Sequence, residues 1–156
     1  MSGLRLLFPI LLLAGIAEAD TKFEFNGQLI CDRVPFKYHM TVYELDTFWD
    51  NVISPGLPGV YVFSLPHYWE ATAQDDNDDV FDLDHWFEIK IRIVHNCTPD
   101  QKYKMYDFYM GEFYITGGTH HMTRAIDINN AGEYTTQRPP NKLAKMEEEK
   151  LENAFE

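Results

Sequence analysis

The stretch Phe87-Glu88-Ile89-Lys90-Ile91-Arg92-Ile93-Val94-His95-Asn96-Cys97 constrains this chain more than any other. Phe87, Ile89, Ile91, Ile93, His95 and Cys97 share one parity, while Glu88, Lys90, Arg92 and Asn96 share the other. That is the pattern of a half-buried strand, with one apolar face and one wet face. The apolar face ends in one of only two cysteines, so the strand anchors a hydrophobic core and a covalent link back to an earlier strand.

Most of the remaining chain reads as strand and turn. Phe23, Phe25, Leu29 and Cys31 share a parity and predict a first strand over Phe23 to Cys31; Tyr38 to Leu45 follows after a turn at Pro35. Asp46 to Gly59 carries Pro55-Gly56 and Pro58-Gly59 and predicts a loop, after which Val60 to Leu65 returns to β-forming residues. Phe81 and Leu83 predict a short strand, and Met105 to Met110, Phe113 to Thr116 and Met122 to Ile128 predict three more, with a turn at Gly117-Gly118. Seven or eight short strands of this kind define an all-β sandwich or barrel.

The two ends differ in character. Met1 to Ala19 has one base, Arg5, an apolar run from Leu6 to Ile16, and a small-x-small site at Ala17-Glu18-Ala19, which predicts a secretory signal cleaved before Asp20. The alternative, a membrane-anchoring helix, needs ~20 apolar residues; this run is shorter and contains Pro9. No later stretch is apolar for long enough to span a bilayer. The expected organisation is therefore a signal at 1–19, one domain at 20–138 and a polar tail at 139–156. After Pro139-Pro140 the chain is rich in helix formers, but Leu143, Met146 and Leu151 make a thin apolar face, so the tail is expected to be a frayed helix or disordered, with docking of that face on a partner as the alternative.

The net charge of -12 argues against nucleic acid and against direct attraction to anionic lipid, both of which need a basic footprint. It favours solubility and basic or cationic partners. In an oxidising compartment Cys31 and Cys97 are expected to form one disulfide, with a buried free pair as the other arrangement. No CxxC or cysteine-histidine spacing indicates zinc or redox chemistry.

Signals for chemistry are weak. Asp75-Asp76-Asn77-Asp78-Asp79, followed by Asp82 and Asp84, matches a calcium loop at its first, third and fifth positions. Val80 then stands where glycine is needed and Trp86 where a bidentate glutamate is needed. A solvated hairpin turn explains the same residues. His120-His121 would point to opposite faces of a strand, and His95, inward beside Cys97, reads as a hydrogen-bonded histidine rather than a base. No nucleophile elbow, metalloprotease helix, phosphate loop or cofactor motif is present, so no catalytic residue, metal ligand or cofactor is assigned. Asn96-Cys97-Thr98 is a glycosylation sequon whose middle residue is the expected bridge cysteine.

Several of these stretches resemble the nematode transthyretin-like proteins, a family of small secreted β-sandwiches. Phe25-Asn26-Gly27-Gln28-Leu29-Ile30-Cys31 is similar to the family's opening Gly-x-Leu-x-Cys strand, and Val42-Tyr43-Glu44-Leu45-Asp46 to its second strand. Ile91-Arg92-Ile93-Val94-His95-Asn96-Cys97 resembles its strand ending in His-x-Cys. The acidic turn before Phe81-Asp82-Leu83 and the segment Tyr114-Ile115-Thr116-Gly117-Gly118 are similar to its Asp-rich hairpin and late Tyr-Ile segment. The chain departs from the family at Asp79, where a glycine is usual, in lacking a second cysteine pair, and in the aromatic run Tyr106 to Tyr114. The resemblance is that of a divergent member. It implies a prealbumin-type, seven- or eight-stranded Greek-key sandwich, extracellular, with a Cys31 to Cys97 bridge, in a family without an assigned biochemical activity.

Two functional readings follow. In the first the chain is a non-catalytic extracellular binding, carrier or interaction module. Aromatic loops at Phe48-Trp49 and Tyr68-Trp69, or the segment Tyr103 to Tyr114, then contact an extracellular protein or a small apolar ligand. Trp49 and Trp69 are the ligand-binding candidates, and the same aromatics as plain sandwich core are the alternative. In the second reading the domain responds to calcium or another cation through Asp75 to Asp84.

Overall fold

The computed structural model describes residues 20–46, 50–55, 58–75, 86–115 and 117–140. Within them the chain forms ten strand segments and no helix. These are β1 (Thr21–Ile30), β2 (Phe36–Glu44), β3 (Asn51–Val52), β4 (Val60–Val62), β5 (His67–Asp75), β6 (Trp86–His95), β7 (Lys104–Tyr114), β8 (Thr119–Thr123), β9 (Ile126–Asp127) and β10 (Glu133–Tyr134). They build two sheets. One has the order β5-β1-β8, with β9 also on β1; the other has the order β10-β7-β6-β2-β3, with β4 also on β2. The expected count of seven or eight is exceeded because four of the ten segments are only two or three residues long.

The alternating strand predicted over Phe87 to Cys97 is β6. It lies inside the larger sheet, antiparallel to β2 from Tyr38↔His95 to Glu44↔Ile89 and to β7 on its other side. Phe87, Ile89, Ile91 and Ile93 are fully buried, as are Phe23 and Leu29 of β1 in the facing sheet. Each such side chain contributes about 1.5–3 kcal/mol when removed from water. Phe23 knits the two layers, meeting Phe87 edge-on at 5.4 Å and Phe113 at 5.5 Å between ring centroids.

Two expectations are corrected. The segments Met105 to Met110 and Phe113 to Thr116 are one strand, β7, through Tyr114. Ile89 pairs with Gly111 and Lys90 with Tyr109, so Met110 is the extra residue of a bulge. The bulge shifts the side-chain parity, which lets Met110 and Phe113 both reach the core and makes one strand look like two. The segment read as a loop around Tyr68-Trp69 is the nine-residue strand β5. Trp69, Ala71 and Ala73 face inward opposite Gly27, Phe25 and Phe23 of β1, so each large side chain meets a small one across the pair.

Strand β1 pairs antiparallel with β5 but parallel with β8, and then with β9 from Leu29↔Ile126. Between β8 and β9 the Arg124 backbone presses onto Gly27, where an added Cβ would stand 1.7 Å from the Arg124 carbonyl oxygen. The Cys31–Cys97 disulfide joins the end of β1 to the residues just after β6, spanning the two sheets at a Cα separation of 6.1 Å. Pro139 and Pro140, expected to open the tail, pack on the domain. Lys37 Nζ donates to Pro139 O at 3.3 Å and Gly59 N–H to Pro140 O at 3.2 Å. Among the described residues no helix is long and apolar enough to cross a membrane.

Candidate functional site

The turn from β4 into β5 carries the largest concentration of exposed apolar side chains among the described residues. Phe63 is 74% exposed, Tyr68 70% and Tyr61 60%, with Leu65 and Val34 also exposed. The pairing Phe36↔Val62 brings the segment before β2, which contains Val34 and Pro35, alongside Phe63. Tyr61 and Phe63 stack at 6.3 Å with an interplanar angle of 17°, and the Lys37 ammonium sits 4.8 Å above the Tyr61 ring. Tyr61 and Phe63 are therefore a preformed aromatic pair with one cation at its base, and Tyr68, beyond the turn on β5, faces out from the smaller sheet. Beneath this corner, Tyr38 of β2 and His67 of β5 share a hydrogen bond at 2.8 Å across the two sheets. Burial pushes the Tyr38 phenol up to about 12 and His67 below its usual value. At neutral pH the phenol keeps its proton, so this pair acts as an inter-sheet tie.

The expected ligand contacts separate. Trp69 is only 3% exposed, packed inward on β5 over Gly27, so its place on an exposed loop is overturned; its neighbour Tyr68 is the residue that faces solvent. The alternation of β5 dictates this, since adjacent residues point to opposite faces. Phe48 and Trp49 lie outside the described residues, as does the acidic cluster from Asp76 to Asp84. Asp75 closes β5. Among the described residues no group of three or more His, Cys, Asp or Glu could hold a metal ion.

His95 is fully buried beside the disulfide. Its Nδ1 accepts the Cys97 N–H at 3.2 Å, which leaves Nε2 to donate to Ala131 O at 3.2 Å. Burial pushes its pKa down to about 4; the bond to Ala131 opposes this and the Lys104 charge adds to it. The imidazole is thus neutral and fully engaged. The sequon is engaged as well: Asn96 Oδ1 accepts the Lys37 N–H at 2.6 Å, and the buried Thr98 hydroxyl donates to Lys102 O.

On the outer face of the larger sheet, Arg92 Nε and Nη2 each reach Asp107 at 2.7 Å and the guanidinium lies 4.9 Å from the Tyr43 ring. Lys90 joins Asp50 and Asp107. The Arg92 hydrogen bonds hold the Asp107 carboxyl below its usual range, with burial opposing. These charges satisfy one another.

The corner residues escaped the sequence reading because Val60 to Leu65 is almost continuously apolar, and such a run reads as a buried strand. Only Val62 is buried; Tyr61, Phe63 and Leu65 share the opposite parity and face out. Fold and surface together define an all-β, two-sheet sandwich with one inter-sheet disulfide and an exposed aromatic corner. No family model, curated protein or solved structure matches the chain.

Proposed function

We propose that this chain is a secreted, transthyretin-like, non-catalytic module that binds an extracellular protein through the corner formed by Tyr61, Phe63, Leu65 and Tyr68. The observation that carries this reading is the exposure of these side chains on a scaffold tied by a disulfide and the Tyr38–His67 bond. Clustered exposed apolar residues are costly to solubility and mark interaction surfaces. Tyrosine and phenylalanine held by stacking offer contact area with little side-chain entropy left to lose. A projecting surface of this kind suits a protein face better than a small apolar ligand, which needs enclosure. The signal pattern, the cysteine bridge and the family-like order of strand motifs support the secreted, transthyretin-like part of the reading.

The test is recovery of extracellular partners by the wild type, Phe63→Ser, Tyr68→Ser and Trp49→Ala proteins at low and high salt. Aromatic-led recognition predicts a loss with Phe63→Ser and Tyr68→Ser that salt does not reproduce, because screening acts on exposed charges separated by more than about 10 Å at 0.1 M. Recovery unaffected by both corner substitutions would refute the site. Turnover of an ester substrate, abolished by changing His95, would refute the non-catalytic reading.

A further inference from the structure

Away from the corner, the loop after the disulfide and the last described residues build a second feature. An open groove of about 690 Å3 is lined by Lys102, Tyr103, Tyr134, Thr135, Thr136 and Arg138, with Gln101 at its edge. Its two walls are tied together. Thr135 N–H donates to Tyr103 O at 3.0 Å, Thr98 Oγ1 to Lys102 O at 2.9 Å, and Asn130 N–H to Cys97 O at 2.9 Å. A groove fastened in this way, next to a disulfide, does not have to be ordered by its ligand.

Its charge runs against that of the chain. On a molecule of net charge -12 the groove presents Lys102 and Arg138, while Lys104 lies 4.9 Å from the Tyr134 ring. The carboxylate at the site is Asp100, 3.3 Å from Lys102 Nζ and accepting the Tyr134 hydroxyl at 3.2 Å. Arg138 makes no ion pair or hydrogen bond with a described residue. A guanidinium with no ion pair or hydrogen bond among the described residues, in a concave site, is suited to a sulfate or carboxylate, which it can grip with two parallel N–H donors.

The remaining lining selects among anions. Two tyrosines offer flat apolar area, two threonines and a glutamine offer short polar contacts, and the groove is open to its surroundings rather than an enclosed cavity. We propose that this groove binds an acidic saccharide chain. Its sulfate or carboxylate groups meet Arg138 and Lys102, its sugar faces rest against Tyr103 and Tyr134, and its hydroxyls reach Thr135 and Thr136. Nucleic acid fits less well, because its affinity comes chiefly from phosphate contacts, whereas this lining is mostly tyrosine rings and hydroxyl- or amide-bearing side chains with two cations among them.

The experiment is a titration of the folded, disulfide-bonded protein with three probes: a heparin-type sulfated tetrasaccharide, its unsulfated counterpart and benzoate, at low and physiological salt. The sulfated probe is expected to bind about tenfold or more tighter than the unsulfated one, and less tightly as salt rises. Arg138→Gln should weaken it about tenfold, the scale of one charge-assisted pair. Tyr134→Ala should weaken it severalfold, and Lys22→Gln, an exposed charge change on β1, should leave it unaltered. Equal binding of the two saccharides, tighter binding of benzoate, no binding, or an equal loss in Lys22→Gln and Arg138→Gln would each overturn the proposal. Both residues are exposed, and matching thermal melts of the variants exclude misfolding as the cause.

Discussion

His95 and Trp69 are both buried, and each holds a polar group whose fate has a measurable consequence. The His95 imidazole is kept neutral by burial, with a pKa of about 4 in place of the ordinary 6.5. The unfolded chain therefore takes up a proton that the native state refuses. The associated stability is complete above about pH 6.5 and is lost as the pH falls toward 4, amounting to about 3 kcal/mol. Urea unfolding of the wild type and of His95→Gln at pH 7 and pH 4 should show the wild type losing about 3 kcal/mol more than the variant. Equal losses would mean that water reaches the ring. Trp69 carries a buried indole N–H with no acceptor among the described residues. Trp69→Ala should cost about 3–5 kcal/mol through the cavity it opens. Trp69→Phe should cost about 1 kcal/mol or less, because the smaller ring also removes an unsatisfied donor. A larger loss in Trp69→Phe would show that the N–H has a partner, such as an ordered water.

Among the elements, β1 depends on close approach and β7 on its bulge, and one glycine in each tests the distinction. At Gly27 an added Cβ would meet the Arg124 carbonyl oxygen at 1.7 Å and the Arg124 nitrogen at 3.0 Å, so Gly27→Ala must push the β8–β9 connection off β1. A loss of about 3 kcal/mol or more is expected, in the range of overpacking at a site that cannot relax. Gly111 has nothing within 4 Å of an added Cβ, but its φ is 122°. Gly111→Ala should therefore cost only the backbone strain, about 1–3 kcal/mol. Denaturant midpoints of the two variants give the order, and a costlier Gly111→Ala would invert it. The same elements show what was legible in the sequence. The alternation of β6 survives in the fold because its partners β2 and β7 leave one face for the core. Strand β5 was not legible: Glu70, Ala71, Ala73 and Gln74 have little β preference of their own. They are extended because Ala71, Ala73 and Trp69 fill the spaces left by Phe25, Phe23 and Gly27, which only the register reveals. The apolar corner was hidden in a run without periodicity. The groove was hidden because Tyr103, Tyr134 and Arg138 come together only when β10 pairs with β7.

For the molecule as a whole, the disulfide ties the end of one sheet to the end of the other over a sequence separation of 66 residues. On the chain-entropy account a loop of that length contributes about 4 kcal/mol, a large share of the 5–15 kcal/mol typical of a domain. The double variant Cys31→Ala/Cys97→Ala should lose about that amount, because the bridge chiefly restricts the unfolded chain. The native end of the sandwich is also fastened without it. Asp32 N–H donates to Asn129 Oδ1 at 2.7 Å, Asn130 N–H to Cys97 O at 2.9 Å and Ile128 N–H to Ile30 O at 3.0 Å. The amides of Asp32, Ile128 and Asn130 should therefore keep their rank among the protected sites in native-state hydrogen exchange, while all protection limited by global unfolding drops together. If those three amides instead open first, the bridge holds the two sheets together in the folded state. The groove between residues 101–103 and 134–138 would then lose its fixed shape on reduction, and affinity for the sulfated probe would fall with it.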